Sequence, residues 1–192
     1  MKNLKYILIL ILIYGCYENK NNTHDLPSNS IFNLSSEWRN QNNIKLHLKD
    51  LKGKTLVVVM IYTSCQSACP ILISKMKQIE QKIDRNLIKN INMVLVSIDP
   101  ETDTPDHLKE FATNNNMDNP QWIFLTSNEI DTREFANVLA MKYKKISPID
   151  FSHSNIITIF NPSGQLVTQE EGLEINSESI AEKVIEVEKL NH

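Results

Sequence analysis

The sequence lacks a long apolar run, an excess of positive charge and an abundance of cysteine. Its apolar stretch from Tyr6 to Tyr14 is shorter than the roughly 20 residues that a membrane-spanning helix needs. It has 20 lysines and arginines against 23 aspartates and glutamates, with no basic stripe of the kind that nucleic-acid binding requires. It also has no internal repeat. These absences exclude a nucleic-acid partner and favour one ordinary globular domain.

The first of the three cysteines ends a segment with the composition of an export signal. Lys2 and Lys5 precede a short apolar core, and the small residue Gly15 stands before Cys16. Residues 13–16 resemble the processing box of bacterial lipoproteins, in which the cysteine receives lipid and becomes the mature N-terminus. The resemblance implies a signal peptide at 1–15 and a lipid-anchored protein in the bacterial cell envelope, outside the cytoplasm. An uncleaved anchor, or an ordinary signal with an incidental cysteine, is the alternative.

Residues 16–30 are predicted to be a polar tether, and residues 31–192 to be the folded domain. The stretch from Tyr17 to Ser30 is polar and has no apolar periodicity, so it has little to contribute to a core. With Cys16 explained separately, Cys65 and Cys69 remain as a couple in a compartment where disulfides form.

These two cysteines lie at a predicted junction between a strand and a helix. The apolar run from Leu56 to Ile61 is typical of a buried strand, and Pro70 suits the first turn of a helix. Free N–H groups and the helix dipole at such a junction lower thiol pKa values and favour thiolates. We therefore interpret Cys65 and Cys69 as redox-active, metal-binding or both. The alternative is a structural disulfide or two inert buried thiols.

After the tether, strand-like and helix-like patterns alternate. Strands are predicted at 33–38, 44–46, 56–61, 92–98, 122–125, 155–160 and 165–169, and helices at 70–83, 104–115, 128–143 and 176–190. The first two strands flank a hairpin turn at 41–43, and residues 161–164 form another turn. In the first helix the predicted buried face comprises Ile71, Ile73, Met76, Ile79 and Ile83. This order predicts an α/β thioredoxin-like fold with a central mixed sheet, flanking helices and an N-terminal β-hairpin.

The loop from Asp99 to Pro105 contains two carboxylates that could perform acid–base chemistry. Asp99 and Asp103 lie in a proline-bounded loop, and Thr104 has the properties of a helix N-cap. We therefore favour a structural role for this loop, with a secondary role near a metal as the alternative.

Three segments together resemble the Sco/SenC family of copper-binding, thioredoxin-like proteins. They are Cys65–Pro70, Val96–Pro105 and Ser152–Ser154, and the resemblance extends from Phe32 to Gly172. It implies that Cys65, Cys69 and His153 bind copper, as Cu(I), Cu(II) or both. It further implies a role in building the copper A centre of cytochrome c oxidase. The implied partners are the copper-bearing oxidase subunit and another copper donor protein.

The chemistry of these residues agrees with that implication. Two thiolates suit soft Cu(I), and an added imidazole gives a set that can also satisfy Cu(II). We expect Cys65 and Cys69 to form a reversible disulfide as well. His24, His47, His107 and His192 have no matching motif and are interpreted as tether, surface, helix-start and chain-end residues.

The chain departs from the family pattern at two positions. Gln66 replaces the proline that many relatives have after the first cysteine, and Ser152 replaces an aspartate before the histidine. Loss of an orienting carboxylate can reduce metal affinity about 10- to 100-fold. Asp150 is close enough in sequence to substitute for it.

Two other functions remain open at this stage. An exported thiol-disulfide reductase would use Cys65 and Cys69 alone, although such enzymes usually have two intervening residues rather than three. A peroxiredoxin-type peroxidase would need threonine three residues before its reactive cysteine, where this chain has Tyr62. We therefore expect a metallochaperone rather than a turnover enzyme.

Overall fold

The computed structural model describes residues 26–148 and 150–191. The predicted signal peptide, Cys16 and the tether up to residue 25 lie outside the described residues, so their predictions stay predictions. Within the described part of the chain, every helix is too short or too polar to cross a membrane.

The described residues form nine strands and four α-helices. The strands are β1 (Glu37–Asn40), β2 (Lys45–His47), β3 (Thr55–Ile61), β4 (Ile91–Ser97), β5 (Trp122–Thr126), β6 (Tyr143–Ser147), β7 (Asp150–His153), β8 (Ile156–Phe160) and β9 (Leu166–Glu171). The helices are α1 (Ala68–Lys82), α2 (Pro105–Asn114), α3 (Glu129–Val138) and α4 (Ser177–Leu190). Short 3-10 helices span Ile31–Asn33, Leu48–Leu51 and Ile88–Asn90.

Seven strands form one mixed sheet in the order β2-β1-β5-β4-β3-β8-β9. Strand β3 pairs in parallel with β4 and antiparallel with β8, and β4 pairs in parallel with β5. The hairpin of β1 and β2 adds to the β5 edge in antiparallel orientation. The predicted mixed sheet with an N-terminal hairpin is therefore confirmed. In the described part of the chain, strands β6 and β7 pair only with each other, in a separate two-stranded sheet.

The two central strands are buried along their whole length. Every residue of β3 and β4 is buried, as expected for parallel strands covered on both faces. Helix α1 packs against β3 and α4, and α2 packs against β5. The core thus fixes the end of β3, from which the chain continues to Cys65.

Helix α1 begins earlier than predicted, and its buried face agrees with the prediction at Ile73, Met76, Ile79 and Ile83. It begins at Ala68, so Cys69 and Pro70 both lie in its first turn. The predicted burial of Ile71 is wrong, because this side chain is 40% exposed, while Leu72 is buried beside Cys69. The repeat of buried residues starts at Cys69 and advances by three or four residues, which makes the second cysteine part of the core face.

Two other predicted boundaries are wrong. The predicted helix 128–143 ends at Val138, because Ala140 adopts a left-handed conformation (φ 52°) and Met141 N–H caps the Ala136 carbonyl. Tyr143 then begins β6, so the sequence analysis missed the hairpin of β6 and β7. At the N-terminus, the predicted strand 33–38 begins at Glu37.

The end of the predicted tether is packed against the domain. The Ser30 hydroxyl accepts a hydrogen bond from Phe32 N–H and donates one to the Ser163 carbonyl at 2.6 Å. Gly164 has φ 76°, and a Cβ there would lie 2.6 Å from the Ser30 oxygen. The turn at 161–164 therefore needs glycine both for its backbone conformation and for this close packing.

Candidate metal centre

The Cys65 sulfur lies at the N-terminus of α1. After β3 the chain turns, with Cys65 N–H bonded to the Tyr62 carbonyl at 3.3 Å. Backbone N–H of Cys69 donates to Cys65 Sγ at 3.4 Å, and the Ser67 hydroxyl lies 3.7 Å from the same sulfur. Cys65 is 8% exposed and Cys69 is 1% exposed, and neither is in a disulfide. The helix N-terminus thus supplies donors to the sulfur of Cys65, whereas the sequence analysis expected lowered thiol pKa values for both cysteines.

The thiol pKa values of the two cysteines are shifted in opposite directions. Burial disfavours the Cys65 thiolate, but hydrogen bonds donated from Cys69 and Ser67 outweigh it and lower the pKa to about 6. Burial raises the pKa of Cys69 well above its ordinary value, and the nearby negative charges of Cys65 and Asp103 raise it further. At neutral pH the pair therefore holds one thiolate and one thiol.

His153, at the end of β7, faces this pair. Its Nε2 lies 3.7 Å from Cys69 Sγ, and its Nδ1 lies 3.0 Å from the Ser154 carbonyl oxygen. A carbonyl can only accept, so the neutral ring carries its hydrogen on Nδ1 and keeps the Nε2 lone pair free toward the cysteines. One ligand atom from each of Cys65, Cys69 and His153 lies within 4.8 Å of the other two. The structure therefore brings all three predicted residues together.

Asp150 does not orient His153. Its carboxylate accepts hydrogen bonds from the Tyr62 hydroxyl and from Phe151 N–H, the latter at 2.9 Å. The orienting partner of His153 is the Ser154 carbonyl instead, which sequence reasoning missed because any residue can supply a backbone carbonyl. Both Gln66 and Ser152, the departures from the family pattern, are exposed.

Asp103 supports the turn that precedes Cys65. It is fully buried and accepts from the Ser97 hydroxyl at 2.6 Å, from Thr63 N–H at 3.2 Å and from the Thr63 hydroxyl. Burial is the main cause that raises its pKa. Thr104 caps α2 by accepting from His107 N–H at 3.3 Å. These contacts agree with the structural interpretation of the Asp99–Pro105 loop.

The other described histidines have different surroundings. His47 Nδ1 lies 3.0 Å from the Ser36 carbonyl, and His107 is exposed in the first turn of α2. His24 and His192 lie outside the described residues. Two sulfurs and one imidazole nitrogen thus form the candidate site, and such a donor set suits soft or borderline metal ions.

The fold and this site define a class: thioredoxin-like proteins with a metal-binding Cys-x3-Cys pair and a distant histidine. The SCO1/SenC family model matches residues 28–189, and the chain therefore belongs to the SCO1/SenC family. A curated relative, the SCO1 protein homolog of Bacillus subtilis, is 28% identical over 140 residues, which are 71% of this chain and 72% of the relative.

Solved structures share the fold. BsSco, a member of the Sco family of cytochrome c oxidase assembly proteins with a disulfide switch, is 26% identical with a TM-score of 0.72, covering 85% of this chain and 96% of that one. Copper-bound Arabidopsis thaliana ScoI is 21% identical with a TM-score of 0.71, covering 82% and 97%. A family lipoprotein from Bacillus anthracis is 24% identical with a TM-score of 0.70, covering 82% and 95%. The predicted thioredoxin-like fold is confirmed.

Proposed function

We propose that this protein is an envelope copper chaperone that binds copper through Cys65, Cys69 and His153 and helps to assemble the copper A centre of cytochrome c oxidase. The observation that carries the proposal is the convergence of the three side chains within 4.8 Å. The copper bound in the Arabidopsis thaliana relative and the membership of BsSco in a family of oxidase assembly proteins support it.

The donor set fits copper as a cargo. Two soft sulfurs suit Cu(I), and the imidazole adds the nitrogen donor that Cu(II) favours. Cys65 offers a thiolate at neutral pH, whereas Cys69 must lose its proton to become a ligand. The three ligands come from the start of a helix and from a separate hairpin, so a partner's ligands could replace them one at a time.

Transfer to an oxidase subunit tests the assembly role. The reduced protein, loaded with one equivalent of copper, is mixed with the metal-free copper A domain of the subunit, whose cysteines are reduced. We expect the absorbance of the copper A centre to develop with the loaded protein and not with a Cys69→Ser variant that has been exposed to the same copper and then freed of unbound metal. Copper retained entirely by the loaded protein would contradict the chaperone role.

The low pKa of Cys65 favours a second candidate, a thiol-disulfide reductase. Its thiolate would attack a partner disulfide, and Cys69 would then displace the partner thiolate to leave a Cys65–Cys69 disulfide and a reduced partner. Two electrons pass from the dithiol to the partner. In the same assay, a partner supplied as its disulfide would be reduced without any need for copper or His153.

We also propose that lipid on Cys16 tethers the mature protein in the bacterial cell envelope, outside the cytoplasm. The basic start, apolar core and Gly15-Cys16 ending support this proposal, as does the existence of a lipoprotein relative in Bacillus anthracis. Stable attachment needs more than one acyl chain, since a single chain binds only marginally.

Replacing Cys16 with Ser should release the protein from the membrane fraction or leave an unprocessed precursor. Fractionation followed by mass measurement of the N-terminus distinguishes the two results. An exposed serine such as Ser64→Ala serves as control and should leave attachment unchanged. Membrane attachment of the Cys16→Ser variant at unchanged mass would exclude lipidation at this residue.

A further inference from the structure

The hairpin of β6 and β7, here called the His153 hairpin, needs side-chain contacts to hold its place. It carries the third candidate ligand, yet among the described residues its strands pair only with each other and not with the seven-stranded sheet. His153 lies only three residues before β8, so the central sheet anchors this end of the hairpin. Side-chain contacts with the body of the domain must hold the rest of the hairpin in place.

Tyr62 provides such a contact from the cysteine side of the site. It is 2% exposed, follows β3 and precedes Cys65 by three residues. Its hydroxyl donates to the Asp150 carboxylate and accepts from Phe151 N–H at 3.4 Å. Its ring meets the His153 ring edge to face at 5.8 Å and packs on Phe151 at 5.1 Å. One side chain thus contacts three residues of the His153 hairpin.

Two further contacts also join the hairpin to the body. Lys145 pairs with Glu101 at 3.0 Å, but both side chains are largely exposed, and exposed ion pairs contribute little. Arg133 lies 4.8 Å from the Tyr143 ring centroid in a cation–π contact. A hydrogen bond from a buried hydroxyl to a carboxylate is charge-assisted and stronger than a neutral one.

We propose that Tyr62 and Asp150 are a positioning pair that holds the His153 hairpin against the cysteines and so sets the reach of His153 toward the metal. The proposal rests on the proposed copper site and adds two residues to it that are not ligands. The chain has Ser152 where many family members have an aspartate, and the proposal gives the hairpin another carboxylate with a structural role, that of Asp150. Asp150 acts on the hairpin's position, and the Ser154 carbonyl acts on the ring.

The test uses Tyr62→Phe, which keeps the buried ring and removes only the hydroxyl. Asp150→Ala removes the hydrogen-bond acceptor. Asp150→Asn keeps a side-chain oxygen that can accept the bond, so this variant should retain most of the wild-type behaviour. Tyr143→Phe is the matched control, because this tyrosine is in the same hairpin and its buried hydroxyl has no hydrogen-bond partner within the described residues.

The first measurement is hydrogen exchange of the backbone amides of β6 and β7 in the metal-free protein. We expect exchange about tenfold faster in Tyr62→Phe and Asp150→Ala, with β3 and β4 unchanged. The second is titration with a Cu(II) salt, where affinity should fall about tenfold, the lower end of the range for outer-shell partners, with a changed visible and paramagnetic resonance spectrum. In both measurements the double variant Tyr62→Phe/Asp150→Ala should show no larger change than either single variant, since both substitutions remove the same contact.

Wild-type exchange in both variants would overturn the proposal, as would equal effects from Tyr143→Phe. Additive losses in the double variant would also overturn it, because independent contacts would then be involved. If the wild type takes up no copper while the variants loosen the hairpin, the proposed function fails and the positioning role stands. If copper binds and the variants match the wild type in both measurements, the proposed function stands and the positioning role fails.

Discussion

Replacing Cys69 with serine is expected to abolish stoichiometric Cu(I) binding by the reduced protein. Cu(I) favours soft sulfur ligands, and a serine hydroxyl in the same place is hard and stays protonated. We expect a loss on the order of 10³-fold or more in affinity, equivalent to about 4 kcal/mol. Competition against a chromophoric Cu(I) chelator measures it. Cys65→Ser should behave alike, and the exposed neighbour Ser64→Ala should match the wild type.

The pH dependence of Cu(I) affinity in the wild-type protein gives an independent check that both cysteines are ligands. The pKa of Cys65 is about 6 and that of Cys69 is raised, so between pH 7 and 9 copper displaces one proton, from Cys69. Affinity should therefore rise about tenfold per pH unit in that range and more steeply below pH 6, where Cys65 is also protonated. Oxidation to a Cys65–Cys69 disulfide should remove binding. Equal stoichiometry in the oxidised and reduced protein would place the metal elsewhere.

The sequence could predict the cysteine half of the site because the signals there are local. An unbroken apolar run predicted β3, and a proline placed the helix start within two residues of its position. Thr104 was recognised as an N-cap for the same reason, since a cap acts on N–H groups only two or three residues away.

The histidine half was harder to predict because its structure depends on distant contacts. Helix α3 ends where Ala140 takes a left-handed conformation that glycine usually supplies, so nothing in the sequence marked the end. Strand β6 has a mostly exposed pattern without the alternation of a half-buried strand. Only the family resemblance connected His153 to the cysteines.

The supporting contacts join segments that are far apart in sequence. Asp103 binds Thr63 across 40 residues, and Tyr62 binds Asp150 across 88. No periodicity or cap rule reports such a pair. The sequence placed Asp103 in a structural loop but could not name its partner. It suggested Asp150 as a substitute for the carboxylate beside His153, whereas the structure joins Asp150 to Tyr62.

Replacing His153 with alanine should weaken the binding of Cu(II) much more than the binding of Cu(I). Two thiolates can hold Cu(I) in a low-coordinate site without the ring, whereas Cu(II) favours nitrogen and oxygen donors in a tetragonal arrangement. We therefore expect His153→Ala to keep most Cu(I) affinity and to lose Cu(II) affinity by more than the roughly 10- to 100-fold typical of outer-shell partners. Paired competition titrations, one for each oxidation state, measure the difference. His107→Ala is the control, because this exposed histidine lies in α2.

The relative losses of copper affinity among the variants distinguish removal of a ligand from loss of its positioning. Loss of Cu(II) affinity should be greatest for His153→Ala and smaller for Tyr62→Phe, because the first removes a ligand and the second only loosens the hairpin that carries it. Both should leave Cu(I) binding less affected than either cysteine variant does. If His153→Ala bound both ions like the wild type, the histidine would not be a ligand. The low pKa of Cys65 would then favour the reductase, which needs only the two cysteines.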